Sequence, residues 1–510
     1  MVKRICDALL IAVEYSRTNI LYTYIISTIL CPSRNNFRQL NKQTEDFKMS
    51  SANYEFDIKY GILNSRTPRH SLISARYKQS FAYFVLRYRL PHNLAEIILN
   101  LSENLDILVS QNGEESRGDF AKVIYRINQL KYRLEHDGPF HQFSGAEPDK
   151  EFWNNFLLNL EEGQNTFFST CFLYAECYVF RRLICYLENT KTLKAFDYYV
   201  VKKHKSLIAF LSTIEIILFG IRTVQTSDDV LRFLLRLNLW GNQCDISADT
   251  EKYNVKRKGP FDHLRAYEKN IIIDSTTSVI NSFKSADHTK PVQVDFICDN
   301  AGYELVVDFI LAHYLLESKL VDKVRFHMKA VPWFVTDATI TDFLWTLQQL
   351  KKQAGRCTQE YARIWLQNLN EGKFEVAEAD YFWTSPYEFY RMRDVRPDLY
   401  EKLTHAHMII IKGDCNYRKL IGDFRWDASE PFITCIRGFQ PANICSLRIV
   451  KTEIICGMSP GKNEDLAKKN KDWMLSGEYG TIQFIEKNYC GCPNTTPDSL
   501  EHSTLGQQYM

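Results

Sequence analysis

Asp299 and Asn300 stand side by side where a short strand pattern, residues 292–298, gives way to a helical one. A carboxylate beside an amide offers hard oxygen ligands of the kind Mg2+ and Mn2+ prefer. The helix that follows, opening on Ala301-Gly302, presents free N–H groups and a positive dipole end to any anion nearby. The same residue types are also common helix caps, and the sequence leaves both roles open. Asp337 repeats the pattern after the apolar segment Val331-Pro-Trp-Phe-Val335, with Asp342 a competing candidate for the cap of the next helix. Next comes Lys412-Gly-Asp-Cys-Asn-Tyr-Arg-Lys419, directly after the apolar residues 408–411. Gly413 permits close backbone approach, and Lys412, Asn416, Arg418 and Lys419 are donors suited to phosphate oxygens, although a solvated turn has the same composition. Arg448 and Lys451 add two cations around a strand-like step.

Several alternatives are absent. Gly457-Met-Ser-Pro-Gly-Lys462 is one residue short of a phosphate-binding P-loop, and Asn463 replaces its metal-binding hydroxyl. No His-Glu-x-x-His or Gly-x-Gly-x-x-Gly signature occurs.

The elements that must position these residues follow from periodicity. From about residue 77 to 239 the spacing is helical nearly throughout. The run from Phe81 is expected to stop at Pro91, with helix resuming over 93–104 on Leu94, Ile97, Ile98 and Leu101. Residues 173–187 and 206–224 are apolar enough for buried helices. The helical period breaks at Trp240-Gly-Asn-Gln-Cys-Asp245, and a polar stretch over 247–260 marks a domain boundary. After Pro291 strands alternate with helices: strands at 292–298, 324–330, 408–411 and 449–456, helices at 301–320 and 341–352. The expected fold is α/β, a helical N-terminal domain packed on a Rossmann-like three-layer domain with a mostly parallel sheet. Ligands gather outside the carboxyl ends of such strands, where the acids and the 412–419 segment fall.

Bulk properties narrow the class. A chain of 510 residues with 45% hydrophobic and 24% charged residues is globular and long enough for two domains. Its 63 basic and 61 acidic residues nearly cancel, with no concentrated basic face for nucleic acid. Fourteen irregularly spaced cysteines, most in apolar stretches, fit free thiols in a reducing compartment. Asp7, Glu14 and Arg17 interrupt the apolar stretches of residues 1–31, so no membrane span is expected there. The expected location is cytoplasmic, with the nucleus as a second compartment; no membrane partner is expected, and the oligomeric state is unassigned.

Taken together, Asp299-Asn-Ala-Gly-Tyr-Glu-Leu305, Pro332-Trp-Phe-Val-Thr-Asp337, Phe382-Trp-Thr-Ser-Pro386 and Lys412-Gly-Asp-Cys-Asn-Tyr-Arg-Lys-Leu420 resemble the damage-control phosphatase family. The resemblance is to the subfamily that includes an acidic residue methyltransferase, and runs from about residue 65 to about 485. Tyr77-Lys-Gln-Ser-Phe-Ala-Tyr83, Tyr174-Ala-Glu-Cys-Tyr178 and Leu239-Trp-Gly-Asn-Gln-Cys-Asp245 extend it. It implies metal-dependent hydrolysis of small phosphorylated metabolites, with fructose 1-phosphate and fructose 6-phosphate favoured and Mn2+, Ni2+, Mg2+ or Co2+ as the cofactor. The expected organisation is an extension over 1–60, either disordered or a targeting segment, a helical domain over 61–250, the metal-binding α/β phosphatase domain over 251–488 and a flexible tail over 489–510. By motif position Asp299, Asn300 and Asp337 would hold the metal and serve as catalytic residues. Asp299 and Asn300, with Asp414, Cys415, Asn416, Tyr417, Arg418 and Lys451, would contact the substrate. Water would be the nucleophile, with Asp299 or Asp337 as a base, or an aspartyl-phosphate would form. Two alternatives accompany this reading: methyl transfer from S-adenosylmethionine, with Glu304 and Asp337 at that ligand, and a binding module without catalysis. In one departure, the subfamily's Arg-Thr-x-Lys signature reads Arg448-Ile-Val-Lys451 here, losing a hydroxyl.

Overall fold

The computed structural model describes residues 51–222, 225–244, 260–353 and 355–487. Most of the expected extension, the 247–260 stretch and the tail lie outside the described residues.

Seven strands form one sheet: β1 (Ile271–Asp274), β2 (Gln293–Ile297), β3 (Lys323–His327), β4 (Phe374–Val376), β5 (Met408–Lys412), β6 (Asn443–Ile449) and β7 (Gly480–Ile485). Their spatial order is β1-β7-β6-β5-β2-β3-β4, and every neighbouring pair is parallel except β6 with β7. All residues of β2, β5 and β6 are buried, as expected of strands covered on both faces. Alternate side chains divide between two cores. Ile297, Ile409, Ile411 and Ile444 join the N-terminal helices, whereas Val294, Phe296, Ile410 and Cys445 join the helices of the opposite face.

The helices that matter to the site are α1 (Leu90–Glu103), α2 (Ser116–Glu135), α3 (Phe172–Glu188), α4 (Val200–Ala209), α5 (Leu211–Arg222), α6 (Asp228–Trp240), α7 (Thr276–Lys284), α8 (Tyr303–Glu317), α9 (Ile340–Lys352), α10 (Arg356–Asn370), α11 (Gly413–Ile421) and α12 (Lys462–Lys469). Nearly all of α8 is buried, apolar and polar faces alike, because it lies between the sheet and α6. No single described helix is long and apolar enough to cross a membrane, although α4 and α5, bent by 50°, pass such a test together.

The α/β architecture is the expected one, with local corrections. The chain does not stop at Pro91: a π-helical turn over Val85–Arg89 leads into α1, where proline occupies the first turn and its missing N–H costs nothing. The helix expected over 206–224 is divided at Phe210 into α4 and α5. The strand expected over 449–456 is β6, and residues 450–456 form a buried loop. Arg448 and Ser446 disguised β6 as a non-strand, yet both are fully buried within it. Strands β1, β4 and β7 had no counterpart in the sequence reading.

Candidate functional site

Sheet register brings the chemistry together. Ile297 pairs with both His327 and Ile411, and Lys412 pairs with Leu447, so β2, β3, β5 and β6 end along one edge. Asp299, Lys329, Gly413 and Lys451 follow within a few residues of those ends. The loop after β3 then folds back: Ala301 N–H donates to Thr336 O at 2.8 Å and Ala338 N–H to Asp299 O at 2.7 Å, setting Asn300 opposite Asp337.

Neither acid is a helix cap. Helix α8 starts after Gly302, which takes φ +76° and offers no side chain. Helix α9 is capped by Thr339 and Asp342 in a reciprocal box, which leaves Asp337 out. Asp299, Asn300 and Asp337 are buried all the same, at 5%, 7% and 4% exposure.

What holds them is a network that the sequence reading missed. Asn242, just past α6, donates from Nδ2 to Asp299 Oδ2 at 2.9 Å and to Glu304 Oε2 at 2.8 Å. Asn300 Nδ2 donates to the same two oxygens at 3.0 and 2.8 Å, while its Oδ1 accepts from Thr336 Oγ1 at 2.7 Å. Gly241 is required beside Asn242, because a Cβ there would lie 2.7 Å from Val307 Cγ2. On the far side of Glu304, Lys412 Nζ lies 3.2 Å from Oε1 and donates to Asp308 Oδ1 at 2.7 Å. Asn238 donates to that same Asp308 oxygen at 2.7 Å.

The centre carries more buried negative charge than these lysines neutralise. Burial, then the charges of Asp337 and Glu304, push the Asp299 carboxyl well above the usual range. Burial likewise raises Asp337 to about 6, against the opposing pull of Lys329 and Lys203. Lys329 Nζ sits 3.4 Å from Asp337 Oδ2, but its hydrogen bonds go to Cys298 O at 3.2 Å and Asn416 Oδ1 at 2.9 Å. Asp337 Oδ2 and Asn242 Oδ1 are buried without a hydrogen-bond partner. Among the described residues no three His, Cys, Asp or Glu side chains converge as a metal cluster, so the candidate set is two carboxylates and one amide oxygen.

Helix α11 supplies the other wall. Gly413 takes φ +83°, and a Cβ on it would fall 2.0 Å from Asp299 Oδ2. This close approach aims the first-turn amides of α11, which have no intrahelical partner, past the acidic centre. Asp414 anchors the next loop, accepting from Arg448 Nε at 2.7 Å, Thr452 Oγ1 at 3.2 Å and Lys451 N–H at 3.3 Å. Lys451 Nζ, half-buried, reaches Asn242 O at 3.4 Å.

The expected side-chain donors of 412–419 are committed elsewhere. Lys412 pairs with Asp308 and Glu304; Arg418 forms a fork on Asp423 at 2.7 and 2.9 Å and pairs with Glu176 of α3. Lys419 donates to Phe382 O at 2.7 Å and Ser385 O at 3.0 Å. Tyr417 is buried, its hydroxyl 3.3 Å from Cys456 Sγ, and Arg448 lies 4.1 Å over the Tyr417 ring. The Cys415 thiol is pushed well above its usual value by burial. Ile449, where the hydroxyl of the signature is lost, packs fully buried in the core.

Residues 85–466 match the damage-control phosphatase ARMT1-like domain family. The chain is similar to the curated human protein "Damage-control phosphatase ARMT1", at 33% identity over 418 residues, 78% of this chain and 94% of the relative. The mouse protein of the same name is 32% identical over 421 residues, with the same shares covered. The zebrafish (Danio rerio) protein is 32% identical over 416 residues, 78% of this chain and 92% of the relative.

Proposed function

The chain belongs to the damage-control phosphatase ARMT1-like domain family, and from that premise we propose a divalent-metal-dependent phosphatase of small phosphorylated metabolites, sugar phosphates such as fructose 1-phosphate and fructose 6-phosphate among them. The observation that carries this reading is the contact of Gly413 with the Asp299 carboxylate, which sets an anion-binding helix start against a cation-seeking acid pair.

The donor set fits a hard divalent cation. Two buried carboxylates raised by burial, an unpartnered Asp337 oxygen and a neighbouring amide oxygen are what such an ion would satisfy. Asp299, Asn300 and Asp337 would hold it. When bound, the cation supplies positive charge to the phosphoryl oxygens.

The chain's own groups do the rest. The amides of Asp414, Cys415 and Asn416 bind phosphoryl oxygens through the helix start, as does Lys451 Nζ, whose 3.4 Å hold on Asn242 O a phosphate readily replaces. Tyr417 and Arg418 act by fixing α11, Arg418 through its buried fork on Asp423. Asn242 and Lys329 keep the carboxylates oriented before substrate arrives.

The test is phosphate release from fructose 1-phosphate with Mn2+, comparing wild type with Asp299→Ala. The loss should exceed the roughly 10- to 100-fold typical of removing an outer partner of a metal ligand. Metal-dependent hydrolysis that survives the substitution would defeat the reading.

A further inference from the structure

A cavity of about 310 Å³ lies between the 66–79 segment, residues 425–429 and α12. None of Asp299, Asn300, Asp337, Lys451 or the residues of α11 lines it. Its volume is that of a small-molecule site. Arg66, Arg69 and Arg425 converge on it. Burial, opposed by Glu453 and reinforced by Arg66 and Arg69, holds the Arg425 guanidinium below its usual value, so three cations crowd one wall.

The cations are unequally satisfied. Arg69 pairs with Asp427 at 2.7 Å, and His70 takes the other Asp427 oxygen at 3.2 Å. Among the described residues the guanidinium groups of Arg66 and Arg425 have no carboxylate within ion-pair distance and no hydrogen-bond partner. Glu453 cancels them only in part: it accepts from Phe81 N–H at 3.1 Å, and burial raises its carboxyl to about 7 against the pull of Arg425 and Arg66. Glu464 and Asp472 are exposed and face water at the rim. Trp426 adds flat apolar surface, suited to the non-ionic part of a ligand, and the buried Trp473 backs the wall.

We propose that this cavity is a second binding site, for a small phosphate-bearing metabolite, formed by Arg66, Arg425 and the flanking tryptophans and separate from the site of hydrolysis. Guanidinium forks match phosphate oxygens in pairs, and two unsatisfied forks beside an apolar wall select a phosphate ester over a bare ion. The site gives a role to Tyr77-Lys-Gln-Ser-Phe-Ala-Tyr83, which the centre at Asp299 leaves unused: Gln79 lines the cavity and Phe81 fixes Glu453. It also adjoins the catalytic side through one segment. Lys451 N–H and Thr452 Oγ1 bond Asp414, while Glu453 and Ile455 face the cavity.

The experiment is calorimetric titration of fructose 1-phosphate into the chelator-treated full chain carrying Lys451→Ala, which removes the half-buried cation of the hydrolytic side. One binding event should remain, and adding Arg66→Ala or Arg425→Ala should weaken it by about tenfold, the worth of one charged hydrogen bond. Arg66→Ala, at an exposed position, should retain the fold and keep turnover of fructose 1-phosphate within about twofold of wild type. Absence of binding in the Lys451→Ala protein, or affinity unchanged by both arginine substitutions together, overturns the proposal. So does a loss of turnover in Arg66→Ala that matches its loss of binding, because the cavity would then be part of the substrate path. These outcomes do not depend on whether Asp299 holds a metal.

Discussion

Gly413→Ala separates backbone strain from damage to the candidate site around Asp299. At φ +83° an alanine pays roughly 1–2 kcal/mol for the left-handed backbone alone. Its Cβ would also lie 2.0 Å from Asp299 Oδ2, well inside any real contact, with the carboxyl carbon at 2.2 Å. Either Asp299 or the start of α11 must move by about an ångström, and a displacement of that size in a positioned site costs on the order of 100-fold in rate. Gly422, which ends the same helix, is the matched control. It has the same φ of +83°, but a Cβ there meets only Arg437 Nη1 at 3.6 Å and Tyr390 Cε1 at 3.7 Å. Both alanine variants should lose stability in urea, Gly413→Ala the more because of its clash, while only Gly413→Ala should lose kcat/KM toward fructose 1-phosphate with Mn2+. Equal activities in the two variants, both near wild type, would refute the argument that the helix start and Asp299 form one site.

Other perturbations report on the surrounding structure. Arg418→Ala leaves Asp423 and Glu176 buried without their cation, and should cost about 3–5 kcal/mol in urea unfolding. Arg418→Lys should recover only part, since the fork on Asp423 is lost; an inactive Arg418→Ala protein of wild-type stability would show instead that its side chain meets substrate. Asn242→Ala removes two amide bonds to Asp299 and Glu304, and should weaken Mn2+ binding to the metal-free protein by roughly 10- to 100-fold; unchanged affinity would exclude Asn242 from the centre. Burial raises Asp137 from 3.8 to about 6, so the folded state holds a proton that the unfolded state releases. Its contribution to stability is present below about pH 4 and is lost as the pH rises to about 6. Asp137→Asn tolerates the left-handed backbone and should therefore be more stable than wild type at pH 7 by at most about 3 kcal/mol, with the gap closing at pH 4; a gap that widens on acidification would contradict the sign.

The chemistry at strand ends was legible because it is local. Asp299 and Asn300 follow the short strand pattern of residues 292–298, the 412–419 segment follows the uninterrupted apolar run 408–411, and a parallel sheet places such ends on one edge. Their partners were not legible. Asn242 lies 57 residues from Asp299, in a stretch whose broken helical period read only as a boundary. Lys329 continued the alternation of β3 and gave no sign that it would be buried beside Asp337. Charge was the most misleading signal: Lys412, Arg418 and Lys419 read as solvent-facing donors, but sequence does not reveal that Asp308, Asp423 and the Phe382 carbonyl wait for them inside the fold. The same blindness moved β6, since a strand holding Arg448 does not look like one until Asp414 and Thr452 surround it.

The two backbone hydrogen bonds that tie Ala301 to Thr336 and Ala338 to Asp299 carry a kinetic consequence. They fix the spacing of Asn300 and Asp337 by main-chain rungs, so the pair is set before any ion arrives. On the proposed reading, exchange of one cation for another would proceed by side-chain rotation alone, fast and without a refolding step. Chelation should leave amide deuterium uptake around residues 299–301 and 336–338 nearly unchanged. The main chain sets the frame, whichever cation the pair would hold.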